Sequence, residues 1–268
     1  MSPVLVDTHV HLFTGALPMA AHAWTVPERA LPVEEFETLM QRHGVTHGVV
    51  SAMSLLADDA YTVAALRRNP RLRGTVTAGP GTDPAELRAR CTAAGVAGIR
   101  FQWRRRAELP DPADPGYRRV LDTVADLGMH VELNVERDRL APVLAGLCGH
   151  GVPVVVDHFG DPHPELGYRT PGGEALLRAL DTGRVRVKLS AGYRFRPAAE
   201  RLVGTAAELI SRAGPDRVFW GSDAPFVGAR EPTGYAAELA SFARIVPDPA
   251  VRERIHHAAH DYYFGPAR

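Results

Sequence analysis

The chain has 268 residues, 45% of them hydrophobic and 23% charged, and its 31 basic and 31 acidic side chains cancel. That length suits one large domain or two small ones, and the composition is ordinary for a globular protein. Zero net charge excludes a basic field for nucleic acid; no apolar run approaches the ~20 residues of a bilayer span, and no leader-like segment precedes the first strand-like run. The expectation is a cytoplasmic protein that handles small molecules.

The first strand-like run is Val4-Leu5-Val6-Asp7-Thr8-His9-Val10-His11-Leu12. Side chains alternate along a strand, so Asp7, His9 and His11 are expected on one face. Paired imidazoles at a strand end suit a metal or the polarisation of a carbonyl, although a bare His-x-His can also be two exposed histidines. An irregular segment, Phe13 to Leu31, follows. Further strand-like runs are Gly48–Met53, Gly74–Ala78, Gly98–Trp103, His130–Val135, Pro153–Phe159, Val185–Ser190 and Val218–Ser222. Their Val- and Ile-rich character suits strands buried on both faces. Amphipathic stretches lie between them, among them Pro84–Ala94, Tyr117–Leu127 and Ala198–Ala213. Asp83-Pro84 and Asp114-Pro115 pair an N-cap with a proline in the first helical turn. Gly95, Gly128, Gly151 and Gly214 mark helix stops.

Eight strands alternating with helices over about 250 residues predict a single-domain (β/α)8 barrel. No GxGxxG or Walker pattern supports a nucleotide fold, and no linker divides the chain. Cys91 and Cys148 read as reduced thiols in helices. Lys188 is the only lysine. The His256-His257-Ala258-Ala259-His260 cluster reads as a surface helix.

Functional residues of such a barrel gather at the C-terminal ends of the strands. Those ends supply His9 and His11, Arg100 and Gln102, Asp157 and His158, Lys188 and Ser190 with Arg194 beyond, and Ser222-Asp223. Asp157 or His158 could simply cap a strand, Asp223 could be a turn residue ahead of Pro225, and Arg104-Arg105-Arg106 could be a solvated turn. Arg100 lies mid-strand, where burial demands an anionic partner.

Together, His-x-His on strand one, His on strand six and Asp on strand eight resemble the amidohydrolase superfamily across nearly the whole chain. The nearest branch is that of the 2-pyrone-4,6-dicarboxylate hydrolases. Val26-Pro27-Glu28-Arg29, Gly98-Ile99-Arg100-Phe101, Val155-Val156-Asp157-His158-Phe159-Gly160 and Trp220-Gly221-Ser222-Asp223-Ala224-Pro225 carry the likeness. The resemblance implies that Asp223, His9, His11 and His158 are catalytic and that Arg100, Arg106 and Arg194 bind substrate carboxylates, which guanidinium groups can hold bidentately. Leu31 and Asn134 stand where that branch has tyrosines, so its particular pyrone substrate does not carry over.

Strand four bears Arg100 where binuclear relatives carry a carboxylated lysine, which argues against two metals. A single Zn or Mn on His9, His11, His158 and Asp223 is chemically reasonable. The branch works without one, and the expectation is a metal-independent lactonase with Asp223 as general base. Two alternatives remain: a mononuclear metal-dependent decarboxylase resembling the aminocarboxymuconate semialdehyde type, and a non-enzymatic carboxylate-binding barrel. Trp24, Met53 and Trp103 are candidate pocket residues, and oligomeric state is open.

Overall fold

The computed structural model describes residues 3–93, 95–195, 199–229 and 232–265, with the side chains of 199 and 200 left out. Eight parallel strands pair in sequence order. They are β1 (Val6–Val10), β2 (His47–Val50), β3 (Leu72–Thr77), β4 (Val96–Gln102), β5 (His130–Asn134), β6 (Val154–Val156), β7 (Val185–Ser190) and β8 (Val218–Gly221). The ring closes where the Asp223 N–H donates to the His9 carbonyl and the His11 N–H to the Ala224 carbonyl, both at 2.8 Å. The expected (β/α)8 barrel is therefore present.

Among the described residues, seven helices fill the crossovers: α1 (Val33–His43), α2 (Ala60–Arg68), α3 (Pro84–Cys91), α4 (Pro115–Asp126), α5 (Arg137–His150), α6 (Pro171–Asp181) and α7 (Ala199–Ala213). Two more follow β8, α8 (Tyr235–Ile245) and α9 (Pro249–Phe264). The proline-led starts are capped as expected: Asp83 accepts from the Ala85 and Glu86 N–H groups, and Asp114 from that of Gly116. Gly151 ends α5 at φ 91°, a left-handed conformation that costs glycine nothing. The expected termini Ala94 and Ala198 lie outside the described residues.

Three expectations are corrected. First, α9 is not a surface helix throughout. Ala259 and Tyr263 pack with Val6, Val49, Val155 and Phe219. His256 is buried, and its Nδ1 accepts the Val6 N–H at 3.2 Å. A closed barrel needs a plug at its N-terminal end, and this helix supplies it. Second, β2 ends at Val50 and β6 at Val156, earlier than the apolar runs suggest. Beyond β6 the chain turns sharply, with His158 and Phe159 at φ 51° and 57°. Third, the Asp7 carboxylate does not meet the imidazoles; of the two histidines it takes only the His9 backbone N–H, at 3.1 Å. The β1–β2 register shifts between Asp7 and Val10. The Asp7 carboxylate is taken by Ser222 N–H (2.9 Å), Ser222 Oγ (2.7 Å) and the Tyr235 hydroxyl (2.8 Å).

Candidate active site

Alternation along the strands builds the barrel interior in layers. Above the apolar plug, Arg100 of β4, Glu132 of β5, Asp157 just past β6 and Lys188 of β7 meet in a fully buried cluster. Arg100 Nε lies 2.9 Å from Glu132 Oε1, and its Nη2 lies 2.8 Å from Asp157 Oδ2. Lys188 Nζ lies 2.8 Å from Glu132 Oε2 and 3.6 Å from Asp157 Oδ1. Two cations and two anions balance, the condition under which buried charges are tolerable. Burial and the mutual repulsion of the two acids push the Glu132 carboxyl up, but Lys188 and Arg100 outweigh both and hold it below its ordinary range.

One layer higher, His9, His11, His158 and Asp223 come together at the mouth, as the sequence led us to expect. His9 Nε2 and His11 Nε2 lie 3.4 and 3.5 Å from Asp223 Oδ1, and His158 Nε2 lies 4.0 Å from it. Gly221 makes room for this, since a Cβ there would fall 2.4 Å from the His9 Cβ. The two Asp223 oxygens are treated differently. Oδ2 accepts from the Tyr193 hydroxyl (2.5 Å) and from Arg194 Nε and Nη2 (3.2 and 2.9 Å). Oδ1 is buried, faces the imidazoles and has no hydrogen-bond partner. Burial alone would raise the Asp223 carboxyl, but Arg194 and then His158 hold it well below the usual carboxylate range. Asp223 and His158 both have positive φ, 64° and 51°. Non-glycine residues are strained there, and such strain concentrates at functional sites.

Hydrogen-bond partners fix two of the rings. His11 Nδ1 lies 2.8 Å from the Ser51 carbonyl, which can only accept. Neutral His11 therefore carries its proton on Nδ1 and turns an Nε2 lone pair inward. His158 Nδ1 lies 2.9 Å from Ser190 Oγ. Burial first, then the nearby Asp157 and Asp223 against His9 and Arg194, leaves His158 well below the usual imidazole range. Burial and then Lys188 do the same to His9.

The three expected arginines separate. Arg194 lines the cavity beside His11, His158 and Asn134. Arg100 borders the same cavity, but its nitrogens are engaged: besides the two acids, Nη1 donates to the Ala52 carbonyl at 2.6 Å. Arg106 is exposed and lines an outer cleft with His22 and Glu108. Arg104, which sequence reasoning left as a solvated turn, lies nearer and borders the cavity holding His11 and His158. A cleft of about 250 Å³ continues outward past Arg104, Arg137, Arg194 and Arg201. Trp24 and Met53 line the inner cavity, and Arg105 stacks on Trp24 at 4.0 Å. Trp103 is core, stacked on Phe101.

Sequence reasoning missed Ser51, Glu132 and Tyr193. Glu132 had a usable signal, a charge inside the apolar run His130–Val135, the same argument that singled out Arg100. Ser51 and Tyr193 had none, because serine and tyrosine at strand ends are common.

A parallel barrel with a His, His, His, Asp cluster at the C-terminal rim of its strands defines a barrel enzyme. The amidohydrolase family model (Amidohydro_2) matches residues 6–261, and the chain belongs to that family. It is 27% identical over 259 residues to a 4-sulfomuconolactone hydrolase from Rhizobium radiobacter, covering 93% of this chain and 86% of that protein. It is 27% identical over 263 residues to a D-galactarolactone isomerase from Agrobacterium fabrum, covering 93% and 87%. Among solved structures it is similar to a probable 2-pyrone-4,6-dicarboxylic acid hydrolase from Acinetobacter baumannii, crystallised with citric acid. That match has a TM-score of 0.90 at 25% identity and covers 98% of this chain and 99% of that one. No helix among the described residues is long and apolar enough to cross a membrane.

Proposed function

We propose that this protein is a lactone hydrolase that opens a carboxylated, pyrone- or muconolactone-like ring with water activated by Asp223. The observation that carries this reading is the divided Asp223 carboxylate. One oxygen is clamped by Tyr193 and Arg194. The other is unpartnered, buried and ringed by three imidazoles. A base so placed can take a proton from one bound water and little else. The lactone-acting relatives support the substrate class, and the citric acid held by the Acinetobacter structure agrees with a carboxylate-rich ligand.

In this mechanism Asp223 Oδ1 and the inward lone pair of His11 accept the two hydrogens of the water. His9 and His158 hydrogen-bond the scissile carbonyl and the oxyanion formed on it. Water oxygen bonds to the acyl carbon, its proton passes to Asp223, and the acyl C–O bond breaks. The ring oxygen leaves as an enolate and recovers that proton. Arg194, with Arg104 and then Arg106 further out, orients the substrate carboxylates. Arg100 borders the cavity as well, and in this reading its main task is to anchor Glu132 and Asp157.

His9, His11, His158 and Asp223 also fit one divalent cation by residue type: His9, His11 and Asp223 offer ligand atoms within 4.8 Å of one another, and Asp223 Oδ1 is free. Such an ion would polarise the carbonyl and acidify water. We propose that the reaction does not require it.

The test is a panel of carboxylated lactones, with product identification, before and after chelation. Ring opening that survives chelation and drops at least about 1,000-fold in Asp223→Asn is expected, given the 10²–10⁴-fold worth of a positioned base. Near-normal turnover by Asp223→Asn would sink the base assignment. Isomerised lactone as the product, or CO2 release abolished by chelation, would move the chemistry to an isomerase or a metal-dependent decarboxylase.

A further inference from the structure

Lys188 is a side chain the reaction above does not use. It lies fully buried beneath His9. Its ammonium contacts Glu132 Oε2 (2.8 Å), Ser51 Oγ (3.3 Å) and His9 Nδ1 (3.3 Å). An ammonium only donates hydrogen bonds. Ser51 Oγ lies 3.2 Å from the same His9 nitrogen. Asp157 Oδ1 at 3.3 Å and Glu132 Oε1 at 3.6 Å are also near, but neither oxygen makes a hydrogen bond, so the ring nitrogen points at neither. A proton on His9 Nδ1 would be driven against the ammonium and would leave the Ser51 hydroxyl hydrogen without its acceptor. With Nδ1 bare, Lys188 donates to Ser51 Oγ and to the Nδ1 lone pair, which it shares with the Ser51 hydroxyl.

The other side of the ring gives the same answer independently. His9 Nε2 and His11 Nε2 are hydrogen-bonded at 3.3 Å. His11 has committed its proton to the Ser51 carbonyl through Nδ1. One nitrogen of the pair must donate, and His9 is the one left to do so.

We propose that Lys188 is a positioning residue whose ammonium, with Ser51, fixes His9 as the Nε2–H tautomer and thereby makes His9 the hydrogen-bond donor of the site. The chain runs from Lys188 to His9 Nδ1, from His9 Nε2–H to His11 Nε2, and from His11 Nδ1–H to the Ser51 carbonyl. When substrate enters, the His9 proton turns from His11 to the carbonyl oxygen and frees the His11 lone pair for water. Glu132 and Asp157 serve this arrangement by neutralising Lys188 and Arg100. In functional terms the inference rests on the lactone hydrolase reading; the tautomer itself does not depend on it.

The experiment is a long-range ¹H–¹⁵N spectrum of the full-length protein with ¹⁵N-labelled histidine, without substrate, His9 being assigned by the signal lost in His9→Gln. The expected result is a proton on His9 Nε2 and a bare Nδ1. A proton on Nδ1, whether or not a metal ion copurifies on Nε2, overturns the proposal. In Lys188→Met the His9 signal should move to the Nδ1–H pattern, with kcat reduced at least about 100-fold and KM changed less than threefold. A folded Lys188→Met that keeps both the Nε2–H pattern and its kcat also overturns it. If that variant does not fold, the wild-type spectrum decides alone. Because the tautomer is read without turnover, failure to find a lactone substrate leaves this result standing.

Discussion

At Asp223 the chemistry is set by which oxygen is tied down. Tyr193 and Arg194 both donate to Oδ2, and charge-assisted bonds of that kind hold a carboxylate more firmly than neutral ones. Tyr193→Phe removes one donor and leaves the ring in place. Its kcat should fall about tenfold, which is about 1.4 kcal/mol of transition-state stabilisation. KM should stay within twofold, because the hydroxyl reaches Asp223 and not the substrate carboxylates. Steady-state kinetics on the best lactone checks this, and an unchanged kcat would show that Arg194 alone suffices. The four residues at the mouth stand next to strand-like runs, and the resemblance to the amidohydrolases singled them out from other polar residues placed the same way. The arginines were less so. Arg100 was rightly read as needing an anionic partner, but Glu132 and Asp157 provide it from within the barrel. Which member of Arg104-Arg105-Arg106 faces inward depends on the turn, where Arg105 takes φ 68°.

Elements carry the site by where they stop. The run Pro153–Phe159 gives no internal sign that its strand ends at Val156, yet that ending lets Asp157 point into the buried cluster while His158 reaches the mouth. Closure between β8 and β1 is equally local. A Cβ at Gly221 would fall 2.8 Å from the His9 backbone nitrogen as well as against its side chain. Gly221→Ala should therefore cost about 3 kcal/mol or more, since backbone cannot yield as a side-chain tip can. Gly204, exposed in α7 with nothing within 4 Å of its would-be Cβ, makes the control. Gly204→Ala should stabilise by up to about 1 kcal/mol through helix propensity. Urea unfolding of the two variants tests the contrast, and equal effects would mean that the β8–β1 seam is loose.

Across the whole molecule, buried histidines outside the site tie stability to pH. Burial pushes His130 and His256 down to about 4. Unfolded, each titrates near 6.5, so between about pH 6.5 and 4 the unfolded chain binds more protons and stability rises with pH. Both contributions are complete above pH 6.5 and fade as the pH falls toward 4. Urea unfolding at pH 7 and pH 5 should differ by about 2–4 kcal/mol. His256→Gln should shrink that difference, and a flat profile would contradict the burial of these rings. The sequence by itself determined the barrel, through eight apolar runs spaced by helices, and it determined the mouth residues, because strand ends and family motifs are one-dimensional features. Only the tertiary structure decided that α9 plugs the barrel, that the Asp7 carboxylate turns away from the imidazoles, and that Lys188, Ser51 and Glu132 sit beneath His9. Those facts join residues far apart in the chain, and the closed curvature of the sheet, which no local pattern encodes, sets the distances between them.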